Sequence, residues 1–351
     1  MQNNELDTRH VVRNEPCRTS ITAKPDISIV IVSWNTRELL RECLRSVFDN
    51  KHDVAVEVFV VDNSSTDGSV EMVRECFPEV RVIQNDHNVG FAAANNQVFE
   101  KCSADLTMLL NSDTILVDDA LAKLVDFMCA HPEAGASGPR LLHPRLKLRV
   151  LGCGYQPTLW REFTHQFGLS QLFPHSNLFR GVHLFTNVHD DRVREVEWIS
   201  GACLLVRNAV IEKVGGLSER WFMYAEDMEW CRRMLAAGWK LYSVPTAVVE
   251  HHLSASTTQR KDATMISVSA ERSYFRYAEN PSRVKLFVYD LVCISGDLLR
   301  SALFFARSLL DFRHNKMWRS RARLFARYAR TQMTLLLRDP KASHQSGQPI
   351  D

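Results

Sequence analysis

Four short polar clusters interrupt the apolar N-terminal half of the chain: SWN at 33–35, DNSSTDGS at 62–69, a segment over 88–96, and NSD at 111–113. Asp62 and Asn63 set a carboxylate beside an amide, a combination that reads the edge of a nucleobase or the hydroxyls of a ribose. Asp113 is a hard oxygen donor suited to a divalent cation bridging two phosphates. His251 can serve that ion as a second protein ligand. In an extended segment His252 points the other way, so His251 is the preferred ring. Glu226 and Asp227 follow Trp221 and Tyr224 closely, acids beside an aromatic wall where a sugar hydroxyl can give up its proton.

Each cluster has a competing structural use. Residues 66–69 are also what a turn and a helix N-cap require. Asn111, Ser112 and Asp113 also suit a loop opening a helix, with Asp118 or Asp119 as its cap. Acids at 226 and 227 also complement a helix dipole, and the two histidines also suit one packed and one surface ring. Neither G-x-G-x-x-G nor G-x-x-x-x-G-K-[ST] occurs, so a dehydrogenase or P-loop enzyme would lack its main device, and a metal must meet any diphosphate charge.

The clusters need elements to position them. ISIVIV from Ile27 is a continuous apolar run rich in β-branched residues, the pattern of a strand buried on both faces. Leu39, Leu40, Cys43, Leu44, Val47 and Phe48 then recur at helical spacing. VEVFVV at 56–61, a helix near 68–76, VRVI, a helix from about 91 and LTMLL at 106–110 continue the alternation. Such alternation implies parallel strands joined by right-handed crossovers, so residues 26–138 read as one doubly wound α/β half. All four clusters fall just after strands, on the rim where ligands bind in open sheets.

Beyond this half, residues 140–195 are rich in His, Pro, Phe and Arg and show weak periodicity. Order returns with EVEWISGACLLV, a helix ending at Gly215 and Gly216, a helix over 226–237, and a strand pair near 240–250. After Ser282 the chain is helical. Between Arg313 and Arg338 it carries eight Arg or Lys and no acid, mixed with Trp318, Leu324, Phe325 and Tyr328. Such a basic amphipathic helix suits an anionic lipid surface; packing on the catalytic domain, or a dimer contact, is the competing use.

With 351 residues, 45% hydrophobic and 24% charged, the chain has the make-up of a folded globular protein. A net charge of +2 argues against nucleic acid as a partner. Nine scattered cysteines without a C-x-x-C pair point to a reducing compartment. No secretory signal and no long uncharged apolar run is present. The expectation is a cytoplasmic protein without a spanning helix. Its expected organisation is a leader over 1–25, a folded domain over 26–256 divided at 138/139, a helical basic extension over 257–340, and a disordered tail over 341–351.

IVSWN, VVDNSSTDGS, NVGFAAANN, LLNSDT, ISGACLLVRNAVIEKVGGL, WFMYAEDMEWCRRMLAAGW and VVEHHLSAST occur in that order. Together they resemble family 2 glycosyltransferases of the GT-A fold, in the rhamnosyltransferase-like branch. The resemblance implies a Rossmann-like, mostly parallel sheet flanked by helices, with 26–138 as the nucleotide-binding half, 139–256 as the acceptor and catalytic half, and a helical C-terminal extension. It implies inverting transfer of a sugar from a nucleotide diphosphate donor to a hydroxyl, with Mg2+ or Mn2+ as cofactor. By the same resemblance Ser33 and Asn35 line the nucleotide pocket, Asp62 reads the base, and Asn88, Gly90 and Asn95 shape the donor site. Asp113 takes the metal place in a D-x-D-like triplet and His251 completes the coordination. Asp227 is the general base, and Glu226 positions the acceptor. Asn111 departs from the Asp that many relatives carry; an amide can bond a ribose hydroxyl but brings no charge. The implied donor is dTDP-L-rhamnose, with a UDP-hexose or UDP-galactofuranose as the alternative, and a non-catalytic nucleotide-sugar scaffold as the other class. The implied acceptor is a glycan or polyprenyl-linked glycan in cell-surface polysaccharide synthesis, reached from the inner face of the membrane.

Overall fold

The computed structural model describes residues 24–50, 53–144, 149–150, 152–185, 190–252 and 263–338. All but the last two residues of the expected leader, and the whole expected tail, lie outside these. Along the chain run β1 (Ile27–Ser33), α1 (Arg37–Asn50), β2 (Val56–Asp62), α2 (Ser69–Cys76), β3 (Arg81–Gln84), α3 (Phe91–Phe99) and β4 (Leu106–Asn111). Next come β5 (Thr114–Val117), α4 (Ala120–Ala130), β6 (Ala134–Leu142), β7 (Arg149–Val150), β8 (Cys153–Gly154), α5 (Leu159–Gln166) and α6 (Leu169–Leu172). The chain continues through β9 (Arg194–Val196), β10 (Trp198–Ile199), β11 (Cys203–Arg207), α7 (Asn208–Val214), α8 (Glu226–Ala236) and β12 (Lys240–His251). Helices α9 (Ala263–Glu279), α10 (Arg283–Leu310) and α11 (Asn315–Leu337) complete it.

These elements form two compact units. The first contains the described residues up to Gly154, those from Asp190 to Phe222, and those from Glu226 to His252. Its main sheet has ten strands in the order β3-β2-β1-β4-β11-β6-β12-β5, with β7 on β6 and β9 on β12. From β3 to β4 every pairing is parallel. Beyond β4 the sheet turns mixed: β11 runs antiparallel to both β4 and β6, and β12 antiparallel to β5 and β9 but parallel to β6. Parallel pairing needs a crossover helix for each step, and only the first half of the sequence alternates strand and helix so regularly.

The continuous apolar runs are buried on both faces. Ile27, Ile29, Ile31, Val58, Val60, Met108 and Leu110 point into one core with the apolar sides of α1, α2 and α4. Val30, Phe59, Val61 and Leu109, one position out of phase, are equally buried but stand outside that core. Helix α3 packs on β1 and β2 from that second face. The expected strand pair near 240–250 is instead the single strand β12, whose register slips between Val244 and Val248. This irregularity is a break in pairing, not a turn. Strand β5 was hidden in sequence because its four residues follow the NSD turn at once.

The second unit contains Tyr155–Phe185, Met223–Ala225 and the described residues from Ala263 onward. The weakly periodic middle segment thus contributes α5 and α6 to a helical body with α9, α10 and α11. Asp290, fully buried, accepts from Arg272 Nε and Nη2 at 2.8 Å each and from Gln332 Nε2 at 2.7 Å, tying α9, α10 and α11 together. Trp318 and Phe325 of α11 stack on Phe304 of α10. No described helix is long and apolar enough to cross a membrane, and the eight described cysteines are free thiols.

Candidate active site

Register lays out the rim. Ser33 pairs with Asp62 across β1 and β2, and Val32 with Asn111 across β1 and β4, so the three polar strand ends lie side by side. The Thr36 hydroxyl donates to Ser112 Oγ at 2.9 Å and lies 3.0 Å from Ser33 Oγ. Thr36 has one hydrogen to give, so Ser33 must donate to Thr36, and Ser112 keeps a hydrogen for an acceptor beyond this chain of hydroxyls. Thr36 was not singled out from sequence; its place three residues after Ser33, at the entry to α1, was the available signal.

The first two clusters are stitched together. Asn35, at φ 53°, accepts from Thr66 N through Oδ1 at 2.8 Å, and its own N–H donates to Ser65 Oγ at 2.8 Å. Asp67 accepts from Arg37 N and Ser69 N, the first residues of α1 and α2. The N-cap position of α2 is Gly68, without a side-chain cap bond, while Thr66 serves Asn35. Asp62 accepts from Ser65 N through Oδ2 at 2.8 Å; its Oδ1 is buried with no partner among the described residues. A buried carboxylate oxygen without a donor is costly, and Asp62 is the last residue of β2, on the rim where ligands bind in open sheets.

Asn63 differs from its neighbour. Its amide donates to Gly90 O and accepts from Asn85 Nδ2, so both ends are spent in holding the 85–90 loop. Asn88 accepts from Gly90 N at 3.0 Å. Gly90 sits at φ 86° and ψ 175°, and a Cβ there would meet Phe222 O at 2.8 Å; this conformation is essentially confined to glycine. Asn95, fully buried, donates to Phe91 O at 2.8 Å and leaves Oδ1 without a partner among the described residues. Asn96 turns the other way and clamps both backbone groups of Leu217.

Antiparallel pairing of β12 with β5 puts His251 opposite Thr114 and so beside the NSD turn. His251 Nε2 lies 3.1 Å from Asp113 Oδ1, both residues are buried, and the His252 N–H donates to the Asp113 carbonyl at 3.0 Å. Asn111 N donates to Ala202 O at 3.0 Å. One residue earlier, Gly201 N donates to Asp227 Oδ2 at 3.0 Å, while Met228 N donates to Oδ1 at 2.8 Å. The dipeptide Gly201–Ala202 thus links the triplet to the acid of α8. A Cβ on Gly201 would come within 3.0 Å of the Phe91 ring, so a larger residue would push these parts away from one another. Desolvation raises the Asp227 pKa, only partly offset by the two backbone N–H groups. Glu226, the first residue of α8, is buried. Tyr224 and Ala225 enter the helix at φ 69° and 75°, a strained turn of the kind concentrated at functional sites.

Asp113 and His251 fit a divalent cation as a two-ligand pair, one hard oxygen and one imidazole. Among the described residues no group of three or more His, Cys, Asp or Glu could hold an ion. A cation here would complete its shell with diphosphate oxygens, which hard ions accept readily.

Residues 28–148 match the family model of Glycosyl transferase family 2, and residues 106–272 that of Glycosyl transferase family group 2. An N-acetylglucosaminyl-diphospho-decaprenol L-rhamnosyltransferase of Mycobacterium tuberculosis is 30% identical over 241 residues, 65% of this chain and 76% of that relative. The O-antigen biosynthesis protein RfbC of Myxococcus xanthus is 27% identical over 248 residues, 70% of this chain but 18% of that protein. Among solved structures, a mannosyltransferase from Pyrobaculum calidifontis in complex with GDP-Man and Mn2+ matches with a TM-score of 0.56 at 16% identity, covering 93% of this chain and 92% of the other. That likeness shows the fold, which is GT-A. Similarity to a rhamnosyltransferase over three quarters of that enzyme's length makes the chain a glycosyltransferase of family 2, in its rhamnosyltransferase-like branch.

Proposed function

We propose that this enzyme transfers L-rhamnose, with inversion, from dTDP-L-rhamnose to a hydroxyl of a lipid-linked glycan during cell-surface polysaccharide assembly. The observation that carries the mechanism is the pair of hydrogen bonds, Gly201 N donating to Asp227 and Asn111 N donating to Ala202 O, which tie both residues to one dipeptide. The donor and acceptor rest on the rhamnosyltransferase relative.

In this reading residues 26–138 hold the nucleotide. Asp62 Oδ1, without a partner among the described residues, accepts from the base, Asn95 shapes the donor site, and the Ser112 hydroxyl donates to the donor. Ser33 and Asn35 support these groups from behind, Asn88 and Gly90 set the path of the loop, and Asn63 fixes that loop. Asp227 takes the acceptor proton as the hydroxyl oxygen attacks the anomeric carbon from the face opposite the leaving group. Its two backbone N–H donors hold the carboxylate in one orientation, and its raised pKa strengthens it as a base. Glu226 positions the acceptor. A divalent cation, Mn2+ or Mg2+, held by Asp113 and His251, would supply positive charge against the departing diphosphate.

The test is a panel of dTDP-L-rhamnose, UDP-hexoses and UDP-galactofuranose with a polyprenyl-diphosphate-linked N-acetylglucosamine acceptor, with Mn2+, Mg2+ or EDTA. Product from dTDP-L-rhamnose alone, lost in EDTA, is expected. Product from a UDP donor overturns the donor. Thermal stabilisation by a nucleotide sugar without turnover of any acceptor supports a scaffold instead.

A further inference from the structure

The aromatic side chains of α11 are already used, while Met317, Leu324, Met333 and Leu337 stay exposed. Trp318 and Phe325 stack on Phe304, and the Arg307 guanidinium lies 4.3 Å from the Trp318 ring centroid. Among the described residues the longer exposed apolar face belongs to α10. At about 3.6 residues per turn, positions 284, 287, 291, 298 and 309 fall within about 60° of one line along this helix. Val284 is 73% exposed, Phe287 49%, Leu291 42%, Leu298 49% and Leu309 51%, and Phe312, just past the helix, is 80% exposed. Ser295, Ala302 and Ala306 fill the same line, and no charged residue interrupts it. From Val284 to Leu309 the stripe is about 38 Å long. A contiguous exposed apolar face of this size marks an interaction surface.

Charge selects the occupant. Residues 283–338 contain twelve Arg or Lys against three Asp, a surplus of nine positive charges. Asp290 is taken by Arg272 and Gln332, and Asp311 accepts from Trp318 Nε1. Lys316, Arg319, Arg323, Arg327 and Arg330, spaced three or four apart, are all exposed on α11. Arg283 at one end of the stripe, with Arg313 and Lys316 beyond the other, brackets it. Two copies meeting on this stripe would bring two such surpluses together, at a cost in like-charge repulsion. An anionic bilayer is attracted instead, at about 1 kcal/mol for each Lys or Arg near its surface.

We propose that the α10–α11 hairpin is a docking surface for anionic lipid, with the outward stripe of α10 in the headgroup region and the arginines of α11 providing attraction. The sequence alone pointed to α11 as the lipid-facing helix; packing transfers the apolar part of that role to α10. The inference rests on this surface, not on the donor or acceptor proposed above.

The test is flotation of the full chain, without nucleotide sugar, on phosphatidylcholine vesicles with and without phosphatidylglycerol. Binding is expected only with the anionic lipid and weakens with salt. The double variant Leu298→Asp, Leu309→Asp and the triple variant Arg319→Glu, Arg323→Glu, Arg327→Glu each lower the bound-to-free ratio by about tenfold or more, with unchanged melting. Because these side chains are exposed, the folded chain tolerates their replacement. Equal flotation of the leucine double variant, or equal binding to neutral vesicles, overturns the proposal. So does a native dimer, seen by light scattering, that this variant dissolves while neither protein floats.

Discussion

Replacing Asp227 with asparagine separates the chemical role of this acid from its structural one. Both carboxylate oxygens accept a backbone N–H, from Gly201 and from Met228. An amide accepts through one oxygen only, so one of these N–H groups faces an NH2 and loses its acceptor. That loss costs about 1–3 kcal/mol of stability. A domain stable by about 5–15 kcal/mol remains folded after such a loss. Removing a general base lowers turnover by about two to four orders of magnitude, or about 2.7–5.4 kcal/mol of barrier at 1.36 kcal/mol per decade. Steady-state kinetics with separate kcat and KM, calorimetric donor binding and a thermal melt distinguish the two effects. The expected result is a kcat lower by that factor, a donor Kd within about threefold of native, and a melting point lower by several degrees. In the native enzyme kcat/KM should fall as pH drops through a value above the usual aspartate pKa of about 3.9, because desolvation raises the Asp227 pKa. This acid limb should vanish from the variant's residual activity. A folded Asp227→Asn protein turning over within about threefold of native would refute the assignment of the base.

Gly90→Ala places a Cβ 2.8 Å from Phe222 O in a backbone region that alanine avoids, and should lower stability by about 2–5 kcal/mol by denaturant titration. Asp290→Ala leaves the Arg272 guanidinium, its side chain only 12% exposed, without its carboxylate, and should cost about 3–5 kcal/mol in the same assay. Burial pushes the Glu162 pKa up to about 8, with Glu271 adding to the rise and Arg300 opposing it, and lifts Asp297 to about 7. A raised folded-state pKa contributes stability that is lost as pH climbs from the unfolded to the folded value. His165 and His183 have depressed pKa values, chiefly through desolvation, and their contribution is lost only as pH falls below about 6.5. Melting temperature should therefore decline from pH 6.5 to about 8, and Glu162→Gln should flatten that decline.

The alternation of β-branched runs with amphipathic helices determined the parallel half of the sheet, because a strand covered on both faces must be apolar at every position, while its crossover helix is apolar on one side only. The same alternation located SWN, DNSS and NSD at strand ends. The sequence left several roles open because they depend on contacts between distant residues. Asp62 and Asn63 are sequence neighbours, yet Asp62 keeps an oxygen without a partner among the described residues while Asn63 is occupied by Gly90 and Asn85. Asp67 rather than Thr66 accepts from the Ser69 N–H at the start of α2, because the Asn35 turn claims Thr66. The contact between Asp113 and His251 is set by antiparallel pairing of β5 and β12 across more than a hundred residues, and local periodicity carries no record of register. On α10 and α11 the pattern showed amphipathic helices, but only their packing decided which apolar face is covered and which is left exposed. Local preference and burial period are written into neighbouring residues, whereas the partner that satisfies a polar group or covers an apolar face is chosen by the fold as a whole.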